Sequence, residues 1–202
     1  MADQPTEQEL RDHVSQTVSR LVRAATLPRD DIKQAVSDIA YESSEPEELR
    51  AHGASELARA WNAQREEAKG WSERTDNDRL DAAFAELEAA GIVARQDFLC
   101  CQTCGCAEVP QLFDSMRASG QTPRGYAFYH GQDTERGVEG AGVYLSFGDA
   151  TFDDGVKSVA IGRTIVDTLE RHGLKPQWNG TFGQRINVPL LWKRRRFTCA
   201  PT

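Results

Sequence analysis

The chain has 202 residues, of which 39% are hydrophobic, and it carries a formal net charge of -7 with a pI near 5.2. This length and hydrophobic content support a folded core. The acidic balance disfavours binding to nucleic acid, and the basic run at residues 193–196 is interpreted as a solvated strand end. Because there is neither a run of about 18 apolar residues nor a signal peptide, we expect a cytoplasmic protein that does not enter a membrane.

Residues 1–70 are predicted to form an N-terminal helical segment. Apolar residues recur at helical spacing on both sides of Pro28, which predicts one helix before this proline and one after it. A third helix is indicated by the stretch SSEPEEL, in which Ser44 and Glu47 have the spacing of a capping box. The apolar stripes of these helices are thin, so we expect the helices to pack against another surface.

Residues 72–197 are predicted to form an α+β domain. A first helix, capped by Thr75 or Asp76, ends at Gly91. The apolar residues after it change from helical spacing to the pattern of a strand. Two further helices are predicted, over AEVPQLFDSMRASG and VKSVAIGRTIVDTLERHG. The predicted strands, in order, are GIVARQDFLCC, GYAFYHGQD, GVYLSFGD, LKPQW and RINVPLLW. The order βαββαβ with one additional C-terminal strand predicts a ferredoxin-like split βαβ plait.

In such a plait the first and second strands are parallel, with the third strand between them, so both end at the same edge of the sheet. The first predicted strand ends in CCQTCGC and the second in YHGQDTE. We therefore expect four polar residues of the second run to lie within reach of the cysteines at 100–106. These four are His130, Gln132, Asp133 and Glu135.

Four of the five cysteines lie within the seven residues from 100 to 106, and this cluster favours metal or thiol chemistry over structural disulfides in a reducing compartment. Cys101 and Cys104 have the CxxC spacing with which two thiolates hold one ion. A tetrahedral zinc site needs two more ligands, and Cys100 or Cys106 with His130 would supply them. Zinc is therefore the cofactor that the sequence suggests.

Two other interpretations of the cysteines stay open. Because a helix follows them, its dipole would lower the pKa of a CxxC thiol and favour redox or nucleophilic chemistry. In that case His130 would act as the base, and Asp133 or Glu135 would orient it. Alternatively, the cysteines are only packed side chains, because free cysteine is among the most buried residue types.

The runs FLCCQTCG, GYAFYHGQDTE, GVYLSFG and AIGRTIVDTLERHGL, with an arginine-rich last strand, resemble an uncharacterised bacterial family catalogued as a domain of unknown function. The resemblance covers about residues 72–196. It implies that the cysteine run and the QDTE run belong to one site, and it implies no activity.

The expected function is that of a cytoplasmic regulatory or protein-interaction domain whose cysteine cluster forms a metal or thiol site. Its expected partner is another protein. The alternative is a thiol-dependent or redox enzyme that uses one of the clustered cysteines. The sequence contains no P-loop, GxGxxG, GxSxG or HExxH motif that would indicate nucleotide-dependent or standard hydrolase chemistry.

Overall fold

A computed structural model describes residues 5–152 and 155–195 of the chain. These residues divide into two compact units. The helical unit contains residues 5–73 and 193–195, and the sheet unit contains the described residues between 74 and 192. Of the predicted features, Arg196 of the basic run and the fifth cysteine, Cys199, lie outside the described residues.

The described elements are seven helices and four strands, in a mixed α+β architecture. In the helical unit, the helices are α1 (Glu7–Ala24), α2 (Arg29–Ala40) and α3 (Pro46–Lys69). In the sheet unit, the elements are α4 (Asp76–Ala89), β1 (Ile92–Arg95), α5 (Gln102–Ala118), β2 (Gly125–Phe128), α6 (Gly131–Val138), β3 (Val143–Asp149), α7 (Gly155–Arg171) and β4 (Ile186–Val188). None of the helices in the described part of the chain is long and apolar enough to cross a membrane.

The helical unit is held together by one apolar cluster from all three helices. Its buried members are Leu10, Val14, Val18, Val22, Ile32, Val36, Ala40, Leu49 and Leu57. The three predicted helices are confirmed, but the predicted Ser44–Glu47 capping box is wrong. Helix α3 begins at Pro46 without a side-chain cap, because the Ser44 hydroxyl donates a hydrogen bond of 2.8 Å to Glu7 instead.

The four strands of the sheet unit form one sheet in the order β1-β2-β3-β4. Strands β1 and β2 are parallel, whereas β3 is antiparallel to both β2 and β4. This is not the order of the predicted plait, in which the third strand lies between the first two. The sequence pattern indicates which segments form strands. The order of the strands in the sheet depends on contacts between distant segments, and the spacing of apolar residues does not report these contacts.

Two segments of the sheet unit differ locally from the prediction. The run YHGQDTE, predicted to end the second strand, leads into a helix instead. Strand β2 stops at Phe128, and α6 starts at Gly131 with His130 as its N-cap residue. The predicted strand LKPQW contributes only an isolated bridge, in which Gln177 pairs with Asn187. The cysteine and QDTE runs therefore lead into two helices that each follow one of two parallel neighbouring strands.

Helix α5 lies against the sheet through an aromatic cluster. Phe113 is fully buried and packs against Tyr126, with 6.3 Å between the ring centroids. At the N-terminal end of α5, the ring of Phe128 leaves no room for a Cβ atom on Gly105. This close approach fixes the first turn of α5, in which Cys104 lies.

Candidate metal or thiol site

Three cysteine side chains meet at the N-terminus of α5. The sulfur atoms of Cys100, Cys101 and Cys104 all lie within 4.8 Å of one another, and we call this group the thiol cluster. Cys101 is the N-cap residue of α5 and Cys104 lies in its first turn. Residues three or four positions apart lie on the same side of a helix, which brings Cys104 next to both preceding thiols. The Cys100 Sγ–H donates to Cys104 Sγ at 3.5 Å.

The thiol cluster is open to solvent. Cys100 and Cys104 are exposed, and Cys101 is half-buried. An incoming ion, or a sulfur atom of another molecule, can therefore approach the cluster without unfolding of the chain. This accessibility distinguishes the cluster from packed cysteines, which are buried and inert.

The loop before the cluster is bonded to the segment that begins α6. The Phe98 N–H donates to the Tyr129 carbonyl at 2.9 Å, and the Gly131 N–H donates to the Leu99 carbonyl at 2.9 Å. The Thr134 hydroxyl donates to Asp97 Oδ1 at 2.5 Å. Through these bonds the cysteine run and the QDTE run lie side by side.

The same loop contains backbone strain. Asp97 and Leu99 have φ values of 51° and 58°, a left-handed conformation that residues other than glycine rarely adopt. Such residues persist only where surrounding contacts hold them, and they cluster at functional sites. Here the contacts are those of the α6 segment, which hold the loop in the shape that brings Cys100 beside α5.

The thiols of Cys101 and Cys104 differ in their acidity. The backbone N–H of Cys104 donates to Cys101 Sγ, with further bonds from the Cys104 thiol, and these bonds lower the pKa of Cys101. Hydrogen bonds to Cys100 and Cys101, followed by the charges of both, raise the pKa of Cys104 to about 11. Cys101 therefore loses its proton before Cys104, because its thiolate is stabilised at the helix N-terminus.

The structure does not bring Cys106 into the thiol cluster. Residues two positions apart on a helix do not share a face, and Cys106 points away from Cys104 into the aromatic cluster of the sheet unit. Burial raises the pKa of the Cys106 thiol, which is hydrogen-bonded to Tyr126. Burial also raises the pKa of Tyr126, to about 12.

The predicted ligand His130 belongs to a second group of charged side chains. Its Nε2 lies 3.0 Å from Asp133 Oδ2, and Asp133 also forms an ion pair with Arg185. We call His130, Asp133 and Arg185 the buried ion group, because His130 and Asp133 are only 4% and 1% exposed. Burial lowers the pKa of His130 against the opposing charge of Asp133.

Cys106 and His130 contribute no ligand atom to the three-thiol group that the described residues form, so their role as metal ligands stays a prediction. The other predicted site residues are distributed along α6. Gln132 is exposed, Glu135 is half-buried, and Asp133 is buried in the ion group.

Sequence reasoning missed Arg185, the cation of the buried ion group. The guanidinium of Arg185 also donates to the Tyr144 carbonyl and lies 5.8 Å from the centre of the Tyr144 ring. The one available signal was an arginine immediately before the apolar strand INV, which is too common a pattern to indicate a site.

A protein-family model described as a domain of unknown function, DUF6891, matches residues 7–196. The chain belongs to the DUF6891 family. The match covers nearly all of both units, so the helical unit is part of the DUF6891 domain together with the thiol cluster. Neither the curated proteins nor the solved structures contain a match to the chain.

Proposed function

We propose that the chain is a regulatory or protein-interaction protein in which Cys100, Cys101 and Cys104 bind zinc. The observation that carries this proposal is the separation of the three sulfur atoms, which all lie within 4.8 Å of one another. With a Zn–S bond of about 2.3 Å, tetrahedral geometry separates two ligand sulfurs by roughly 3.8 Å. Small side-chain rotations are therefore enough to bring the three thiolates onto one ion, and thiolates are soft ligands that suit zinc.

The fourth position on the metal would face solvent, because Cys100 and Cys104 are exposed. A water molecule or a side chain of a partner protein would complete the coordination. Binding of the partner would then depend on whether the metal is present, and this dependence would give the protein a regulatory or interaction role. We expect the protein in the cytoplasm, where thiols stay reduced and available for metal.

The test is a zinc titration of the reduced, metal-free full chain in competition with a chromogenic chelator. We expect one zinc per chain, with affinity lowered on the order of 100-fold or more by Cys101→Ser or Cys104→Ser, since each removes a ligand that the metal contacts directly. Cys106→Ser is the matched control, because it is the same substitution two residues further along α5 and outside the cluster. It should change the affinity less than about threefold.

Equal losses in the Cys104→Ser and Cys106→Ser proteins would contradict a site built on the three clustered thiols. Failure of the unmodified protein to bind zinc would reject the metal proposal. Melting curves of each metal-free variant separate a loss of ligand from a loss of folding, since only the second lowers the melting temperature without zinc.

A second candidate function, dithiol exchange, is favoured by the lowered pKa of Cys101 beside a second thiol. The Cys101 thiolate would attack a disulfide of an oxidised substrate, and one substrate thiolate would leave. The Cys104 thiol would then lose its proton and attack Cys101 Sγ, which releases the second substrate thiolate. The substrate disulfide gains two electrons, and Cys101 and Cys104 lose two as they form a disulfide.

Oxidised glutathione distinguishes the two candidates. If exchange is the function, Cys104→Ser should trap glutathione on Cys101, whereas the unmodified chain should form an internal disulfide that peptide mass mapping locates. If the cluster is only a metal site, zinc-loaded protein should stay reduced, and the metal-free protein should form no internal disulfide between Cys101 and Cys104.

A further inference from the structure

The helical unit contains a cavity of about 670 Å³, which is within the usual range for sites that bind small molecules. Its walls come from α1, from the segment that joins α1 to α2, from the start of α2, from α3 and Trp71, and from Arg194 and Arg195. Much of the wall is apolar, with Leu21, Ile32 and Ala68 among its side chains. The cavity is thus large enough to enclose an organic ligand, and its surface would shield an apolar body from water.

Four arginines line this cavity, and no acidic residue is among the lining residues that the structure describes. The arginines are Arg29, Arg65, Arg194 and Arg195. Guanidinium groups stay charged at all relevant pH values. Four such charges around one cavity oppose the acidic balance of the whole chain, which has a net charge of -7. The cavity is therefore an electropositive location in an acidic protein.

The burial of Arg194, one residue of the basic run, is the second observation. Arg194 is only 2% exposed, although the sequence pattern had indicated a solvated segment. Arg195 donates hydrogen bonds to the carbonyl oxygens of Ser72 and Glu73, at 2.6 and 3.2 Å. These carbonyl oxygens fix the orientation of the Arg195 guanidinium at the cavity wall.

Two tryptophans supply flat surfaces next to these charges. The guanidinium of Arg29 lies 5.7 Å from the centre of the Trp61 ring, and that of Arg195 lies 5.8 Å from the centre of the Trp71 ring. Aromatic faces pack well against planar or aliphatic ligand groups. Apolar surfaces and anion-binding groups therefore alternate around the cavity.

We propose that this cavity binds an amphipathic organic anion. The apolar body of the ligand lies against the aliphatic wall and the two tryptophans, and its phosphate or carboxylate group binds Arg29 and Arg65. Arginine is well suited to this role because its planar fork matches the oxygens of both anions. The proposal concerns the helical unit alone and does not depend on the thiol cluster.

Isothermal titration calorimetry of the full chain tests the proposal with probes that separate its two components. 2-Naphthyl phosphate carries both an apolar body and an anion, 2-naphthol carries only the body, and inorganic phosphate carries only the anion. Decanoate serves as a carboxylate with an aliphatic body. We expect one naphthyl phosphate or decanoate per chain, bound at least 10-fold more tightly than naphthol or inorganic phosphate.

Two pairs of variants assign the binding to this cavity. Ala68→Trp fills the cavity and should weaken binding at least 10-fold, whereas Ala63→Trp, at an exposed position of the same helix that does not line the cavity, should not change it. Arg65→Gln should weaken binding of the anions 3-fold or more, whereas Arg50→Gln on the same helix should not.

Three results would overturn the proposal. The first is the absence of binding by both naphthyl phosphate and decanoate. The second is equal affinity for naphthyl phosphate and naphthol, which would show that the arginines do not recognise the anion. The third is an unchanged affinity in the Ala68→Trp protein after its helical content and melting temperature are verified, which would show that the ligand binds elsewhere.

Discussion

The thiol cluster and the buried ion group lie in neighbouring segments of the sheet unit, yet they have opposite environments. The thiols of Cys100 and Cys104 are exposed, and hydrogen bonds at the helix end lower the pKa of Cys101 and raise that of Cys104. His130 and Asp133 are almost completely enclosed, and Asp133 bridges His130 and Arg185. An exposed thiol of the cluster can lose its proton and bind a metal ion or another sulfur atom. The buried ion group instead holds its three side chains in fixed positions.

The comparison indicates a division of roles. The α6 segment that contains the ion group also carries the hydrogen bonds to the strained cysteine loop, through Gly131 and Thr134. We therefore infer that the buried group supports the shape of the loop and propose that the exposed group carries the chemistry. Changes in the first should alter stability, and changes in the second should alter reactivity and metal binding.

The largest expected effect on stability is that of Asp133→Asn. This substitution removes the charge that His130 and Arg185 share in a buried location, and loss of one partner from a buried pair costs about 3–5 kcal/mol. The free energy of unfolding in urea measures the effect. Asp114→Asn is the control, because it breaks an exposed pair with Arg117 and should cost less than about 1 kcal/mol.

If Asp133→Asn changed the stability by less than about 1 kcal/mol, the buried ion group would not be the structural support that we infer. The zinc affinity of the folded Asp133→Asn protein is the second measurement. It should stay within about threefold of the unmodified chain, because Asp133 is not a ligand.

The next effect is that of Gly105→Ala, which tests how α5 is positioned beneath the thiols. A Cβ atom at this position would overlap the ring of Phe128, and overpacking of this kind costs about 1–3 kcal/mol. Gly183→Ala, where a Cβ atom meets nothing within 4 Å, should be close to neutral. Thermal unfolding of both variants measures the difference, and equal melting temperatures would contradict the close approach.

Zinc affinity should depend on pH, because each thiol must lose its proton to bind the metal. Since the pKa of Cys104 is raised to about 11, this thiol is protonated in the metal-free protein near neutral pH and must release its proton on binding. The affinity should therefore rise about tenfold per pH unit for each proton released, between about pH 6 and 8. Competition titrations at several pH values measure the slope, and a flat profile would show that the thiols do not coordinate the ion.

The smallest predicted effect concerns His130. Burial lowers its pKa in the folded protein, so the unfolded chain binds a proton more readily and His130 destabilises the fold as the pH falls through the usual histidine range near 6.5. In His130→Gln this contribution to the pH dependence of the unfolding free energy should disappear. An unchanged slope between about pH 5 and 7 would contradict a histidine that is buried in its neutral form.

Several features that depend on neighbouring residues were predictable from the sequence, although the Ser44–Glu47 capping box was not among them. Thr75 forms the expected cap of α4, in a capping box with Asp78, because the signal lies within four residues. The clustering of Cys100, Cys101 and Cys104 was likewise indicated by their spacing. Cys106 lies outside the thiol cluster because it faces a different side of α5 from Cys104. Predicting this required knowledge of the residue at which α5 begins.

Features that depend on distant residues were not predictable. Strand order follows from pairings such as that of Gly125 with Asp149, which no periodicity specifies. Arg185 reaches Asp133 across 52 positions of sequence, so nothing local indicated their ion pair. Helix α6 was missed because only eight residues form it, and because its start follows a strand directly at His130.

The most direct test of the account is X-ray absorption at the zinc edge of the zinc-loaded, reduced full chain. The account predicts three sulfur neighbours at about 2.3 Å and one lighter neighbour from water. It also predicts two sulfurs after Cys101→Ser or Cys104→Ser and three after Cys106→Ser. A zinc ion bound mainly by oxygen or nitrogen, or a sulfur count that falls only with Cys106→Ser, would contradict the three-thiol site.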